Sequence, residues 1–430
     1  MYFERIVAAP EHAYYDIAHV RGKREENKEN QNSPNYKKNM KTNRFFKYCC
    51  IALVAISCTK TNRNSELFFE ATERYDIDLT ACVDETPPYA CKNSITEEFC
   101  DIEIIPLENN SEALMGEIDN MQVCDNGFYI INRQEKYPLF HYKHDGSFGA
   151  KIGENGHSRA EYTTLWNFSA NTAGDTVAVL DYNYVRLYDS NGTFINAYDF
   201  KDTQYWQGFL YTDKGFFLST SNRCLNSVLA QYTHDFRTEH PIIEGQVNLI
   251  RDNPSSWQNL IRRDGQNICY YDYYTATFYI FDTNDMKNSK SFTLHSPNGL
   301  SESKIRNIMN TGEDSQEFDY LRSFVFEDNI IWGKFKYGKY SYDLKLDVKT
   351  GKCMLNRHID MDYSFMCSHN GWFYWVFTPA WLLDVIEFSK DKIIPHPTYM
   401  LFKDVLEPYK DKMNESDNYY IMRMRKKNGN

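Results

Sequence analysis

The sequence predicts an all-β chain: a six-bladed β-propeller with four-stranded antiparallel blades, preceded by a signal peptide and a flexible N-terminal segment. Three observations carry this reading. The 33 Tyr, 28 Phe and 7 Trp make up 16% of the 430 residues, and aromatic side chains suit the pleated, half-buried surface of strands. Short apolar runs recur in the order strand, turn, strand, turn, strand, starting at residues 127, 175, 215, 267, 329 and 371, in steps of 48, 40, 52, 62 and 42. Two of the turns, Asp145-Gly146 and Asn191-Gly192, lie 46 residues apart and have the composition of two-residue hairpins whose central residues both take positive φ. A period near 40 to 50 residues with four strands per unit is the blade pattern, each unit burying its faces against its neighbours. Two stacked β-sandwiches are the competing fold and give no six-fold recurrence.

In chain order, the first 57 residues differ from the rest. Met1 to Ser57 holds 10 basic and 6 acidic side chains, net +4, leaving 38 basic and 53 acidic, net -15, for the remainder. That acidic body argues against nucleic acid as a partner. Residues 1–39, with the run Arg21-Gly-Lys-Arg-Glu-Glu-Asn-Lys-Glu, are charged and lack an apolar period, so they are read as a disordered extension and a start-site artefact, with translation beginning at Met40. Residues 40–57 place Lys41, Arg44 and Lys47 ahead of the apolar run Cys49 to Ile56, the layout of a signal peptide. The run is about half the ~20 residues a membrane-spanning helix needs. Ala55-Ile56-Ser57-Cys58 is similar to the bacterial lipobox, with Ala55 where Leu is more usual. Cys58 is therefore the expected lipidation site. Its acyl chains, at ~0.8 kcal/mol per buried methylene, tether the protein to a membrane. The expected address is the outer membrane, facing the periplasm or the cell exterior.

Residues 58–100 read as a tether and lead-in. Cys82, Cys91 and Cys100 lie at intervals of nine, and an oxidising compartment makes one disulfide among them an expectation, with the pairing left open. Cys124, Cys269 and Cys367 fall inside strand-like runs and read as small core residues.

Residues 101–430 form the propeller. Asn126-Gly-Phe-Tyr-Ile-Ile-Asn opens the clearest unit and Asp175-Thr-Val-Ala-Val-Leu-Asp the second; Gly215, Asn267, Asn329 and Gly371 begin the other four. In the sixth, Leu382-Leu-Asp-Val-Ile-Glu-Phe is read as the next strand, with a turn near Lys390-Asp391. One further strand precedes each unit, such as Trp166-Asn-Phe and Tyr363-Ser-Phe-Met. Ser301 to Met309 reads as a short helix within the longest insertion. Asp101 to Glu108 and Tyr419 to Arg425 are lone strands expected to pair across the seam, which would leave no large exposed edge.

The residues that follow the leader resemble those of bacterial six-bladed β-propeller lipoproteins, related in fold to NHL-repeat propellers. The likeness rests on Asp101-Ile-Glu-Ile-Ile-Pro-Leu-Glu, Leu114-Met-Gly-Glu-Ile-Asp-Asn and Lys151-Ile-Gly-Glu-Asn-Gly-His-Ser-Arg-Ala-Glu-Tyr. Ser158 and Ala160 stand where that family usually has glycine. The resemblance implies architecture and location and supplies no reaction.

For chemistry, the chain has neither a G-x-S-x-G elbow nor a phosphate-binding loop. His141 and His144 straddle a strand and its turn and are read as facing apart. Asp189-Ser-Asn-Gly and Asp282-Thr-Asn-Asp lack the spaced ligands of a calcium loop and are read as hairpin turns. No catalytic residue, metal site or cofactor is assigned. The reading is a binding or scaffold module for a protein, peptide or glycan. The ligand face consists of loops joining second and third strands and successive blades, with Arg133, Lys136, Tyr182, Tyr184, Arg223, Tyr273, Tyr274, Lys336, Tyr337 and Trp381 as contacts, because Tyr, Trp and Arg dominate binding hot spots. The alternative is a metal-dependent hydrolase or lyase in the channel, with Asn120, Asn167 and Asp362 at inner-strand ends.

N-terminal mass spectrometry of the protein extracted from its native membrane is expected to find a chain beginning at acylated Cys58. Peptides from Tyr2 to Lys38, or an unmodified Cys58 in the mature chain, would contradict the leader assignment.

Overall fold

The blades are cut by tight turns whose chemistry is written in the sequence. Gly127 and Gly215 open second strands at φ +143° and +117°, and a Cβ there would lie 2.1 Å from the carbonyl oxygens of Tyr142 and Tyr232. Only glycine allows that approach. At the corners between third and fourth strands an Asp side chain caps the turn. Asp145 accepts from the Ser147 amide at 2.9 Å, Asp189 from Thr193 at 2.8 Å and Asp347 from Lys349 at 2.8 Å. These turns differ from the expected hairpin type. Gly146 and Gly192 have positive φ while Asp145 and Asn191 do not, and the ladder shifts at His141/Tyr142 and Leu187/Tyr188. The extra residue is a bulge that adds twist to the outermost strand.

The computed structural model describes residues 70–84, 99–132, 138–181, 184–200, 206, 208–220, 227–245, 261–273, 275–299, 319–357, 366–389 and 397–427, all within the compact unit Asn64–Asn430. The leader, Cys58 and the insertion around Ser301 lie outside these residues. Six antiparallel sheets form a ring. Blade one is Ile118–Cys124, Gly127–Asn132, Leu139–Tyr142 and Phe148–Lys151; blade two is Asn167–Ala170, Thr176–Asp181, Tyr184–Asp189 and Phe194–Asp199. Blade three is Gly208–Thr212, Gly215–Ser219, Ser227–Tyr232 and Glu239–Glu244, and blade four Ile261–Asp264, Asn267–Asp272, Thr277–Asp282 and Ser289–His295. Blade five is Tyr320–Glu327, Ile330–Tyr337, Tyr340–Asp347 and Cys353–Arg357.

Blade six is built from both ends of the ring: Cys367–His369, Trp372–Phe377, Tyr420–Lys426 and, outermost, Phe99–Pro106. The seam pairing expected from the sequence is therefore present, with Ile421 opposite Ile105 and Met422 opposite Ile104. Arg423 pairs with Glu103 at 2.5 Å. The Arg423 and Arg425 guanidiniums each lie 4.5 Å from the Trp372 ring. Of the expected inner strand Tyr363-Ser-Phe-Met, Tyr363 to Phe365 lie outside the described residues, and the described strand is Cys367–His369. One detail of this blade departs from expectation. Leu382 to Phe388 is not its third strand but part of a helix, Pro379–Ser389, followed by a second, Pro397–Leu406. The reason is periodicity: Leu382, Val385 and Ile386 are buried while Asp384 and Glu387 are not, a spacing of three and four rather than two.

The lead-in takes part in the ring. Glu73–Asp78 adds in parallel to the outermost strand of blade four, and Val83–Asp84 to that of blade five. With Phe99–Pro106 on blade six, one N-terminal stretch covers three successive outer edges. Among the described residues no helix is long and apolar enough to cross a membrane.

Ile421, Met422 and Met424 are fully buried, and each large-to-small change at such a site costs about 2–5 kcal/mol. Deleting residues 419–430 removes all three, with their ladder, from a fold of about 5–15 kcal/mol net stability. The expected result is loss of the cooperative melting transition; an unchanged melting temperature would show that the seam does not hold the ring.

Candidate functional site

Strand direction divides the ring into two faces. Turns between first and second strands, near residues 125, 173, 213, 265, 328 and 370, open on one side of the disc. Loops between second and third strands, and links from one blade to the next, open on the other, the loop face.

Of the ten contacts expected there, Arg133, Lys136, Tyr182, Arg223 and Tyr274 lie outside the described residues. Tyr184 is 40% exposed, and the Arg186 guanidinium sits 4.8 Å from its ring. Lys336 and Tyr337 are partly buried at the loop end of Ile330–Tyr337, Lys336 lying 5.6 Å from the Tyr320 ring and Tyr337 edge-on to Tyr342. Trp381 stands on the helix that joins the second and third strands of blade six and packs edge-on against Trp375. Tyr273 is 6% exposed and packs against Tyr271 at 5.2 Å, so its ring supports the wall instead of offering a contact. The structure adds three side chains the sequence reading passed over: Leu114, Trp166 and Tyr340, 56%, 53% and 50% exposed. All three stand on the loop face: Leu114 in the link from blade six to blade one, Trp166 just before Asn167–Ala170, and Tyr340 at the start of Tyr340–Asp347. Trp166 falls in the strand-like run Trp166-Asn-Phe, and nothing in its alternation reveals which rings the blades leave uncovered.

The loop from Lys151 to Trp166, which carries the family-like motif, is held by a buried ion pair. Arg186 meets Asp181 at 2.5 Å with both side chains nearly inaccessible. Asp181 also accepts from the Thr163 and Thr164 amides at 3.1 Å, and Arg186 Nε donates to the Arg159 carbonyl at 3.2 Å. Tyr188 donates to the Ala160 carbonyl. Each charge is thus paired and further hydrogen-bonded, the condition for a buried pair to persist. Glu161 accepts from the Ser158 amide at 2.8 Å, so side-chain hydrogen bonds fix the loop.

The six innermost strands enclose the channel. A cavity of about 130 Å³ there is lined by residues including Asn120, Gln122, Ser169, Arg262, Glu327 and His369. A second, of about 290 Å³, opens beside it at the turn face between blades two, three and four, against Tyr211, Asp213, Arg263 and Gln266. The wall is polar and largely committed. Gln122 exchanges two hydrogen bonds with Ala170 at 2.9 Å, Asn120 donates to Asn167 at 3.3 Å, and Arg263 donates to the Tyr211 carbonyl at 2.9 Å. Two of the three residues proposed for a channel metal therefore bond each other, and Asp362 lies outside the described residues. Among the described residues no group of three or more His, Cys, Asp or Glu could hold a metal. His141 and His144 turn to the carbonyls of Ser190 and Asp125.

Burial dominates the electrostatics of this wall. It pushes the Glu327 carboxyl up to about 7, helped by the neighbouring charges of Asp264 and Asp328 and opposed by the Gly371 amide, which donates to it at 2.5 Å. Burial also raises Asp264, lowers Arg262 to about 10 and lowers His369, against the pull of Asp125. Cys124, Cys269 and Cys367 are buried, as small core residues should be, and their thiols are held protonated, that of Cys124 being pushed up to about 12.

Residues 75–425 match the model of a family described as a domain of unknown function, DUF4934. Among solved structures, the chain is similar to a candidate exported protein of Bacteroides fragilis, with 14% identity and a TM-score of 0.61 over 83% of this chain and 100% of that one. It is also similar to a member of the DUF4221 family from Bacteroides vulgatus, with 10% identity and a TM-score of 0.48 over 77% and 98%. The first of these similarities is one of fold. No curated protein matches the chain.

Because the Glu327 carboxyl is raised on folding, the folded state holds its proton where the unfolded chain has lost it. Stability from this group therefore falls as pH rises from about 4.5 to about 7, and the full penalty, up to about 3 kcal/mol, is present above that window. Glu327→Gln keeps the acceptor for Gly371 and removes the charge. Urea unfolding at pH 5 and pH 8 is expected to show the variant gaining about 1–3 kcal/mol over wild type at the higher pH only; a gap independent of pH would remove Glu327 as the titrating group.

Proposed function

The chain belongs to the DUF4934 family, and from that premise we propose that it is an exported binding or scaffold propeller whose loop face takes a protein, peptide or glycan ligand, held at the membrane by lipid on Cys58. One observation carries the reading. Of the five large apolar side chains exposed among the described residues, four, Leu114, Trp166, Tyr184 and Tyr340, stand on the loop face. Two of the rings are stacked by arginine, Tyr184 under Arg186 and Tyr340 under Arg357 at 3.7 Å. A ring held in place before binding loses less entropy on contact, and aromatic anchors with polar rims are where interface energy concentrates. Export is supported by the signal-like run before Cys58, and the description of the Bacteroides fragilis relative as exported agrees with it.

The test uses the purified chain on glycan and peptide arrays. Trp166→Ala, Tyr184→Ala and Tyr340→Ala together are expected to weaken every ligand the wild type binds by at least ~10-fold, since losing ~1.4 kcal/mol already does so. Gln266→Ala on the turn face should change nothing. Equal binding by wild type and the triple variant, with melting temperatures matched, would refute the loop face.

A further inference from the structure

The N-terminal stretch brings together two thiols from far apart in sequence. A turn of 3-10 helix, Leu79–Ala81, buries Leu79 and ends at Cys82, whose backbone is helical at φ -96° and ψ -13°. That conformation takes the Cys82 side chain out of the alternation of the strand that follows. Val83–Asp84 then pairs in parallel with blade five, Val83 opposite Leu355, and the Leu355 amide donates to the Cys82 carbonyl at 2.9 Å. Cys353 is the first residue of the strand so paired, one place out of register from Cys82. Strands about 4.8 Å apart and one residue of stagger put the two Cα atoms about 6 Å apart, inside the span a disulfide needs. The Cys82 thiol donates to the Asp78 carbonyl at 3.3 Å at the end of that helical turn, the Cys82 and Cys353 thiols each shift the other's titration, and both residues pack against the same core cluster.

We propose that Cys82 and Cys353 are joined by a disulfide that staples the N-terminal stretch to the outer edge of blade five. The other cysteines are placed differently: Cys100 faces the Asp101 carboxylate at 3.7 Å, and Cys124, Cys269 and Cys367 are buried. Oxidation proceeds by exchange with an external disulfide of the glutathione type. The Cys82 thiol, the less buried of the two, loses its proton and attacks one sulfur of the reagent. The reagent's disulfide bond breaks and one glutathione leaves as thiol. Cys353, deprotonated in turn, attacks the Cys82 sulfur of the mixed disulfide and expels the second glutathione. Two electrons pass from the cysteine pair to the reagent, and two thiols are regenerated from one disulfide. The bond closes a loop of roughly 270 residues, where the loss of unfolded-state entropy is large. A membrane tether ahead of Cys82 would then pull on a covalent link instead of on the short Val83–Asp84 ladder. The pairing depends only on the fold, whereas its formation in the cell rests on the export reading.

The full chain is equilibrated with oxidised glutathione, alkylated, and digested without reduction. The expected result is one cross-linked peptide pair containing Cys82 and Cys353, about 2 Da lighter than the two reduced peptides together. The melting temperature should rise and dithiothreitol should reverse the rise. Cys353→Ser should leave Cys82 open to alkylation and abolish the rise. Alkylation of both residues in the oxidised chain, or linkage of Cys82 to Cys91 or Cys100, would overturn the proposal. The same digest on protein isolated from cells separates the two readings: a bond that forms in the test tube while both thiols are free in the cell supports the pairing and contradicts export.

Discussion

The antiparallel ladder between Phe99–Pro106 and Tyr420–Lys426 is the constraint on which the rest of the molecule depends. A ring of blades has no lid and no central core; each blade is stable because both of its faces are covered by neighbours. Blade six has no complete sequence segment of its own and exists only when the two ends of the ring meet. Its ladder sets Ile104, Ile105, Ile421 and Met422 in the core. Asn418 ties the following link down, accepting from the Met115 amide and donating to the carbonyls of Glu108 and Ala113. Once that blade is in place, blades one and five are both covered and the channel has six walls.

Closure also settles which parts of the chain can carry function. Turn-face corners are short and satisfied by their own Asp and Asn side chains, so they have little freedom to change. Loop-face segments join elements whose positions are already fixed, and they can lengthen and vary without cost to the ring. The buried Asp181–Arg186 pair shows how one such loop is made rigid: a single ion pair gathers the amides of Thr163 and Thr164 and the carbonyl of Arg159. The same arginine steadies Tyr184 at the surface, so the pair links the core of blade two to the proposed contact surface. The N-terminal stretch acts on the outside of the ring in a related way, covering strand edges that would otherwise invite a second chain.

Blade count, strand order and the seam were legible because they rest on local signals that repeat: turn residues at fixed places, apolar runs of strand length, and two unpaired strands at the ends. Failures arose where the signal was short or depended on distant partners. Leu382 to Phe388 is apolar enough for a strand, and only the burial of Leu382, Val385 and Ile386 on one side reveals the helix. Cys82 and Cys353 meet through the register of a two-residue parallel ladder, which no spacing along the chain encodes. For the site, the residue types on the loop face were legible and their exposure was not. Tyr273 and Tyr184 belong to the same class of loop, yet one is packed against Tyr271 and the other open to solvent. Glu327 was invisible as a perturbed acid because its environment comes from Asp264, Asp328 and Gly371, brought together by three different turns.

Native-state hydrogen exchange at the seam tests the central claim most directly. If closure is the event that completes the ring, the amides that cross the seam between Phe99–Pro106 and Tyr420–Lys426 open only when the whole ring opens. They should then share the opening free energy of amides in the second strand of blade one, such as Ile130 and Ile131. Seam amides exchanging through a separate, much cheaper opening, while blade one stays protected, would mean that the ring stands without its closure and would contradict the account.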